Sequence, residues 1–338
     1  MPEPTSRDLH IDKLLSNVSI QYMNAPSAYV SDQVFPVLNV DKQSDQIAIY
    51  RTEDMFRDEA QVRAPLTESA GGGFGVATPS SYFCPEYGYH QDIAQDDIYN
   101  TDDPFNLEAD ATRIVTEKFR IKRESLFGNT YFKTGVWDLD VTGVTDTPGE
   151  DEFKCWDLSG STPVDDVEGL KSQVHLRTGQ EPNVLLVSKR VHKALKTHPT
   201  IKDLYKYTTP GAKITEKLLA EIFEVDKYLV ASALIANNAE GAATDLGYLL
   251  NQYGALLVYA APNPSKYQIT GGYTIRWNRP QFGGTGGEKF PATIARLDMP
   301  TIKAVRIEGS FYETQKLICP GCGVFINNAI AAGRTLTS

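Results

Sequence analysis

The chain has 338 residues, of which 41% are hydrophobic and 22% are charged, and its formal net charge is −10. These proportions are typical of a globular protein and exclude a wholly disordered chain. The sequence has no apolar run of about 18 residues, which argues against a membrane span. Acidic and basic residues are interspersed, so the basic patch that nucleic-acid-binding proteins use to displace phosphate counterions is not visible.

The N-terminal residues 1–33 are polar and weakly patterned, and we predict an extended arm. The first four residues lack the basic and apolar regions of a signal peptide, so we expect synthesis and folding in the cytoplasm. The first core-like stretch begins at Val34.

Residues 34–85 predict a long two-stranded hairpin with flanking strands. Apolar residues alternate in Gln46–Arg51 and again in Gln61–Leu66, as expected of two strands. A charged segment lies between them, and the cluster Gly71–Gly75 follows, which we expect to give flexibility at the base. Two strands alone in water are marginally stable at best. The hairpin must therefore lie either on its own domain or on a neighbouring copy.

A long amphipathic helix is predicted over residues 104–127. Asp102 or Asp103 is a suitable N-cap, Pro104 fits the first turn, and Gly128 is expected to end the helix. The residues at helical spacing that predict its apolar face are Leu107, Ala111, Ile114, Val115, Phe119 and Leu126. The residues predicted to pair along its exposed face are Asp110, Arg113, Glu117, Arg120 and Glu124.

Residues 160–285 alternate between helical and strand patterns, which indicates an α/β unit. Predicted in chain order are a helix over Pro163–Leu176, a buried strand over Asn183–Val187, a helix capped by Ser188 and broken at His198–Pro199, a helix over Leu218–Phe223, and strands over Lys227–Ala231 and Gly254–Ala260. From Ile302 to Ile330 the pattern returns to β. The overall class is α+β.

This order of segments resembles the major capsid proteins of tailed bacteriophages with the Hong Kong 97-type fold. The resemblance extends over nearly the whole chain, although no single motif is diagnostic. The stretches that carry it are Phe35–Val37 opening into Val40–Arg63 (the family's E-loop), Asp103–Gly128 (its spine helix), Thr178–Asn183 running into Val184–Ser188, Val191–Leu195 continuing to Tyr207, Leu218–Asp226 leading to Tyr228–Val230, and Tyr253–Tyr259.

The resemblance implies five segments. They are an N-terminal arm over 1–33, an E-loop hairpin over 34–85, a peripheral or P-domain over 86–159 that contains the spine helix, an axial or A-domain over 160–285, and a return β segment over 286–338. It also implies pentamers and hexamers of the chain, closing into an icosahedral virion shell around double-stranded DNA without sequence-specific binding. Assembly would take place in the host cytoplasm.

Further partners follow from the same resemblance. They are a portal, a decoration or cement protein, and a separate scaffolding protein, because only about 30 residues precede the core. An encapsulin-like compartment shell of the same fold is the alternative, and neither is an enzyme. In either shell the E-loop residues would contact the next subunit; these are Arg51, Glu53, Asp54, Phe56, Arg57, Asp58, Glu59 and Arg63. The alternative for these charges is a solvated loop tip.

Motifs that suggest other chemistry are incomplete. Cys319 and Cys322 have the spacing of one zinc knuckle, but a tetrahedral site needs four ligands. We therefore favour a tight turn with buried thiols over a zinc-stabilised module or a knuckle shared between subunits. The segment Gly283–Lys289 lacks the Gly-Lys-Ser/Thr ending of a phosphate loop. The spacing of His175, His192 and His198 does not set up a metal-ligating pair. We predict no catalytic, cofactor-binding or metal-binding residue.

Overall fold

The computed structural model describes residues 23–47, 49, 52–73, 75, 80–100, 106–206, 214–239, 241–265, 268–278 and 293–331. The helices there are α1 (Ser31–Val34), α2 (Thr52–Met55), α3 (Gln95–Asn100), α4 (Leu107–Tyr131), α5 (Pro163–Thr178), α6 (Lys189–Thr197), α7 (Pro199–Lys206) and α8 (Glu216–Ile222). The strands are β1 (Val37–Val40), β2 (Ser44–Ile47), β3 (Ser80–Phe83), β4 (Glu86–Ala94), β5 (Leu139–Val144), β6 (Glu152–Lys154), β7 (Val184–Ser188), β8 (Lys227–Ala231), β9 (Leu234–Ala236), β10 (Leu246–Tyr248), β11 (Ala255–Val258), β12 (Gly272–Trp277), β13 (Thr293–Met299), β14 (Ala304–Leu317) and β15 (Gly323–Asn327).

A six-stranded mixed sheet in the order β6-β5-β15-β11-β7-β8 forms the centre of the molecule. Every residue of β7 and β11 is buried, as expected where both faces of a sheet are covered. Leu185 and Leu257 face a core that includes α5, α6 and α8, whereas Leu186 and Leu256 face a second core around Phe35 and Phe127. The period of two along the strands thus divides one apolar run between two cores.

A second, five-stranded sheet has the order β1-β12-β14-β13, with β4 also paired to β14. The 14-residue strand β14 alternates between buried and half-buried residues along most of its length. Its buried face packs on α4 through Phe119 and Phe311, whose ring centroids are 4.9 Å apart at an interplanar angle of 73°. Gly309 permits this approach, because an added Cβ there would lie 2.5 Å from the Phe119 ring.

The bounds of α4 differ from the prediction of residues 104–127. Asn106 is the N-cap, and its side-chain oxygen accepts a hydrogen bond of 3.0 Å from the Ala109 amide. The predicted caps Asp102, Asp103 and Pro104 lie outside the described residues. Gly128 lies inside the helix instead of ending it. A Cβ at Gly128 would meet the Leu249 carbonyl at 3.5 Å, an ordinary van der Waals distance, so glycine neither ends the helix nor is required by packing here.

The predicted elements of the α/β region are confirmed within a few residues, and the break at His198 separates α6 from α7. Ser188 caps α6, accepting from the Val191 amide at 3.4 Å. The two sheets, however, do not follow the predicted segment limits. β5 and β6 from the segment 86–159 and β15 from the segment 286–338 join β7, β8 and β11 in one sheet. The five-segment division of the chain itself stays a prediction.

Candidate assembly surface

We call residues 44–83 the flap, because it leaves the body at one pair of strands and returns beside it. β2 pairs antiparallel with β3, so that Asp45 lies opposite Tyr82. The Cys84 amide donates to the Gln43 carbonyl at 2.9 Å, and the Gln43 side chain donates back to the Cys84 carbonyl at 3.0 Å. Tyr82 and Cys84 are buried in a cluster with Ile275 of the five-stranded sheet. The base of the flap is therefore fixed to the body.

The predicted pairing of Gln46–Arg51 with Gln61–Leu66 is wrong. Gln46 and Ile47 pair with Ser81 and Ser80 instead. Residues 61–66 contain Pro65, which has no amide proton for a ladder, and they lie in no helix or strand. Alternation of apolar residues indicated two faces but could not identify the partner strand.

The outer part of the flap exposes apolar side chains. Val62 and Leu66 are both 104% exposed, and Phe56 is 68% exposed. Phe56 nevertheless has one neighbour in its own chain, since its ring lies against Gly179, where a Cβ would approach within 2.7 Å. Gly179 is the left-handed C-cap of α5, with φ 68°. Residues 56–73 are otherwise exposed, with no core beneath them.

The charged residues predicted for the E-loop are only partly placed. Arg51 lies outside the described residues, and of Glu53 only the backbone, in α2, is described. Asp54 accepts from the Gly75 amide at 2.8 Å and pairs with Arg57 at 3.4 Å, while Arg57 also approaches Glu59 at 3.8 Å. The Arg63 guanidinium donates to the Thr67 carbonyl, and Asp58 is exposed. Asp54, Arg57 and Arg63 therefore already have hydrogen-bond or ion-pair partners within the flap.

A second feature, which the sequence did not reveal, joins the segment before β1 to α4 through buried carboxylates. The Glu124 carboxylate accepts from the Val30 amide at 3.1 Å and from the Ser31 amide at 3.0 Å. Glu117 accepts from the Asn24 amide at 3.0 Å and from the Tyr29 hydroxyl at 2.5 Å. Burial raises the pKa of Glu124 to about 7, although the two amide bonds oppose the shift.

A buried ion cluster lies beside these carboxylates. Arg123 of α4 donates to both oxygens of Glu313 in β14, at 2.5 and 2.6 Å, and to Asp32 of α1 at 2.7 Å. Arg276 of β12 approaches Glu313 at 3.8 Å. The sequence had placed Glu117 and Glu124 on an exposed face, but both are buried. Two of the predicted pairs along the helix are present, Arg113 with Asp110 at 3.4 Å and Arg120 with Glu117 at 3.8 Å.

The described part of the chain offers little to hold a metal ion. No three His, Cys, Asp or Glu side chains there are grouped as metal ligands would be. Among the same residues, no helix is long and apolar enough to cross a membrane. His192 bonds to the Tyr228 hydroxyl at 3.1 Å and His198 to the Ser161 hydroxyl at 3.0 Å, both in buried positions. These histidines serve the packing of α6 and of the turn before α7.

Comparisons with known proteins agree with this architecture. The major capsid protein of Burkholderia phage BcepMu is 25% identical over 283 residues, which cover 79% of this chain and 83% of the relative. No protein-family model matches the chain.

Three solved structures superpose over most of their length. A phage-related protein from Bordetella bronchiseptica RB50 has a TM-score of 0.66 at 20% identity, covering 90% of this chain and 94% of its own. The capsid of cyanophage P-SCSP1u has 0.57 at 11% identity, covering 92% and 90%. The encapsulin of Synechococcus elongatus PCC 7942 has 0.55 at 11% identity, covering 97% and 98%.

The two sheets, the helix α4 and the flap at its anchored base define a viral shell fold of the Hong Kong 97 type. In sequence and in fold the chain resembles the major capsid proteins of tailed bacteriophages. Members of this family are structural proteins.

Proposed function

We propose that this chain is the repeating subunit of a tailed-phage head, forming pentamers and hexamers that close into an icosahedral shell around double-stranded DNA. The observation that carries the proposal is the flap, which exposes Val62 and Leu66 completely on a base that is fixed to the body. The virion would be its location, and we assign it no catalytic activity.

The flap favours a neighbouring copy as its support for an energetic reason. Burying one Val or Leu side chain contributes about 1.5–3 kcal/mol, which residues 56–73 largely forgo in the isolated subunit. In the shell each copy would lay this segment on the next, so the gain would recur at every contact around a capsomer. Contacts that are weak singly and strong together let misplaced subunits dissociate during assembly.

The charged flap residues would add specificity to that contact more than strength. Arg57 is shared between Asp54 and Glu59 within the flap, and the exposed pair of Arg57 with Glu59 contributes about 0–1 kcal/mol. We propose that Arg51, Glu53, Asp58 and Arg63, together with Phe56, meet the adjacent subunit. Opposite charges would then set the register of flap on neighbour.

The acidic balance of the chain suits a container for DNA. A net charge of −10 without a basic patch would repel phosphates, so that packaged DNA could move along the inner wall. A separate scaffolding protein, a portal and a decoration or cement protein complete the proposed set of partners, and the host cytoplasm is the proposed place of assembly.

An encapsulin-like compartment remains the second candidate, favoured by the superposition with the Synechococcus elongatus encapsulin. The two functions differ in contents, because a phage head holds DNA and an encapsulin holds protein cargo. The relative identified by sequence is a phage capsid protein, which favours the phage head.

The test is to express the chain with and without its phage's other head genes and to examine the particles by electron microscopy and sedimentation. We expect capsomers or closed shells, and nuclease-protected DNA in particles from infected cells. A stable compact monomer would contradict the proposal; its radius of gyration would be about 20 Å, the value expected of a globular chain of this length. Particles from infection that contain protein cargo and no DNA would support the encapsulin alternative.

A further inference from the structure

Cys319 precedes and Cys322 ends the tight turn Pro320–Cys322, which connects β14 of one sheet to β15 of the other. The Cys322 amide donates to the Cys319 carbonyl at 3.1 Å, which closes the turn. On one side the Cys319 amide donates to the Gly271 carbonyl at 3.2 Å. On the other, the Tyr259 amide donates to the Cys322 carbonyl at 2.9 Å. The two cysteines are therefore fixed three residues apart on one hydrogen-bonded turn between the sheets.

The two thiols differ in access and acidity. Cys322 is wholly buried and Cys319 is half-buried. A hydrogen bond from Cys322 lowers the pKa of the Cys319 thiol, and the amides of Cys322 and Gly321 add to this effect against burial. The pKa of Cys322 is raised by its bond to Cys319 and by burial. Cys319 thus has the more available thiolate, and Cys322 is a protected partner beside it.

The other two cysteines lack both properties. Burial raises the pKa of Cys84 to about 11, and burial also raises the pKa of Cys155. Their sulfur atoms each lie 3.5 Å from a backbone carbonyl, that of Ile275 for Cys84 and that of Asn328 for Cys155. Buried thiols of this kind are inert, so the chain carries its own internal controls.

Zinc is a poorer match to the pair than redox chemistry. A structural zinc site has four ligands, and Cys319 and Cys322 supply two. Within the described residues no third His, Cys, Asp or Glu joins them as a ligand group. Two thiols separated by two residues, one of them acidified, are instead the arrangement used for thiol–disulfide exchange.

We propose that Cys319 and Cys322 form a redox-active dithiol that exchanges with small-molecule disulfides such as glutathione disulfide. The Cys319 thiolate attacks one sulfur of glutathione disulfide, whose S–S bond breaks and releases one glutathione thiolate. Cys322 then gives its proton to solvent and attacks the Cys319 sulfur, releasing the second glutathione thiolate, and both thiolates take up protons. The protein dithiol is oxidised to a disulfide while one glutathione disulfide is reduced to two glutathiones.

The consequence of oxidation would be local. A disulfide that closes so short a loop removes little chain entropy from the unfolded state. It would instead restrict the turn through which β14 passes into β15, and hence the junction of the two sheets. This inference does not depend on shell assembly.

The experiment uses the purified full-length protein in glutathione buffers of increasing oxidised fraction. After acid quenching, unfolding and alkylation, peptide mass spectrometry reports the state of each cysteine. We expect a Cys319–Cys322 disulfide at oxidising ratios, with Cys84 and Cys155 still reduced. Under native conditions Cys319 should be alkylated at least about tenfold faster than Cys84 or Cys155. Failure of the disulfide to form at the most oxidising ratio would overturn the proposal without any variant.

Two variants separate the proposed roles. C322S should accumulate a glutathione adduct on Cys319, because the resolving thiol is missing, whereas C319S should leave Cys322 reduced. C155S is the matched control and should oxidise like the wild type. If C319S consumed glutathione disulfide as fast as the wild type, Cys319 would not be the attacking thiol and the proposal would be wrong. Circular dichroism of each variant shows whether it is folded. If a variant does not fold, disulfide formation in the wild-type protein alone decides the proposal.

Discussion

Arg123 of α4 and Glu313 of β14 are 190 residues apart in sequence yet form a buried two-bonded ion pair, with nitrogen–oxygen distances of 2.5 and 2.6 Å. Both side chains are at most 4% exposed. The pair joins the long helix to the longest strand, and Asp32 extends it to the N-terminal segment. Three segments distant in sequence are thus connected at one point in the interior.

Removing one partner of this pair should destabilise the subunit strongly. Glu313→Ala leaves the buried Arg123 without its two bonds to Glu313, and removing one partner of a buried pair costs about 3–5 kcal/mol. The midpoint of urea unfolding of unassembled subunits measures the loss. Arg113→Ala, which breaks an exposed pair on the same helix, is the control and should leave the midpoint unchanged. Equal midpoints for both variants would show that the buried pair is not a structural connection.

The free energy of unfolding should depend on pH because Glu124 titrates at different pH values in the folded and unfolded states. Burial raises its folded pKa from 4.5 to about 7, so between these values the folded state binds more protons than the unfolded state. Stability contributed by protonated Glu124 is therefore fully present below about pH 4.5 and is lost as the pH rises to about 7, at up to about 1.4 kcal/mol per pH unit. Above that value Glu124 adds no further change.

The variant Glu124→Gln removes this titration while keeping an oxygen that can accept from the Val30 and Ser31 amides. Relative to the wild type, its free energy of unfolding should rise steadily from pH 5 to pH 7 and then level off. Urea unfolding at four pH values measures the difference. Parallel curves for the two proteins would mean that Glu124 is ionised throughout this range.

A side chain at position 309 should destabilise the subunit, because α4 packs directly against Gly309. Gly309→Ala would place a Cβ 2.5 Å from Phe119 and 2.8 Å from Val115, so we expect a loss of about 1–3 kcal/mol from overpacking. The matched control is Gly169→Ala in α5, where nothing lies within 4 Å of the new Cβ. Alanine there should stabilise the subunit by about 0.5–1 kcal/mol. Opposite signs in thermal unfolding are the expected result; a neutral Gly309→Ala would imply that the helix and sheet can separate.

The sequence predicted the α/β region well because its signals are local. Ser188 before a helical pattern and Pro199 after His198 act within one or two turns, and both positions are confirmed. Gly128 misled the prediction because a helix tolerates an interior glycine at a cost of about 1 kcal/mol, and α4 continues to Tyr131.

The sequence could not predict which distant strands pair, because local patterns carry no information about the partner strand. Ile47 pairs with Ser80, across more than thirty residues, and the alternation of apolar side chains indicates a face without naming a partner. The buried role of Glu124 was missed because charged residues on a helix are normally solvated, and its partners are backbone amides that leave no mark in the sequence. The contact residues proposed for the flap stay a prediction.

The most direct test of the account compares two double variants of the flap by sedimentation velocity. V62D/L66D puts charge on the two completely exposed apolar residues of the flap, whereas G169D/L176D adds the same charge at two exposed positions of α5, outside the flap. Both should unfold at the wild-type urea concentration, because none of the four positions is in the core. We predict that G169D/L176D still forms shells and that V62D/L66D sediments as smaller, unassembled species. Wild-type shell yield from V62D/L66D would contradict the claim that this segment is completed by a neighbouring subunit.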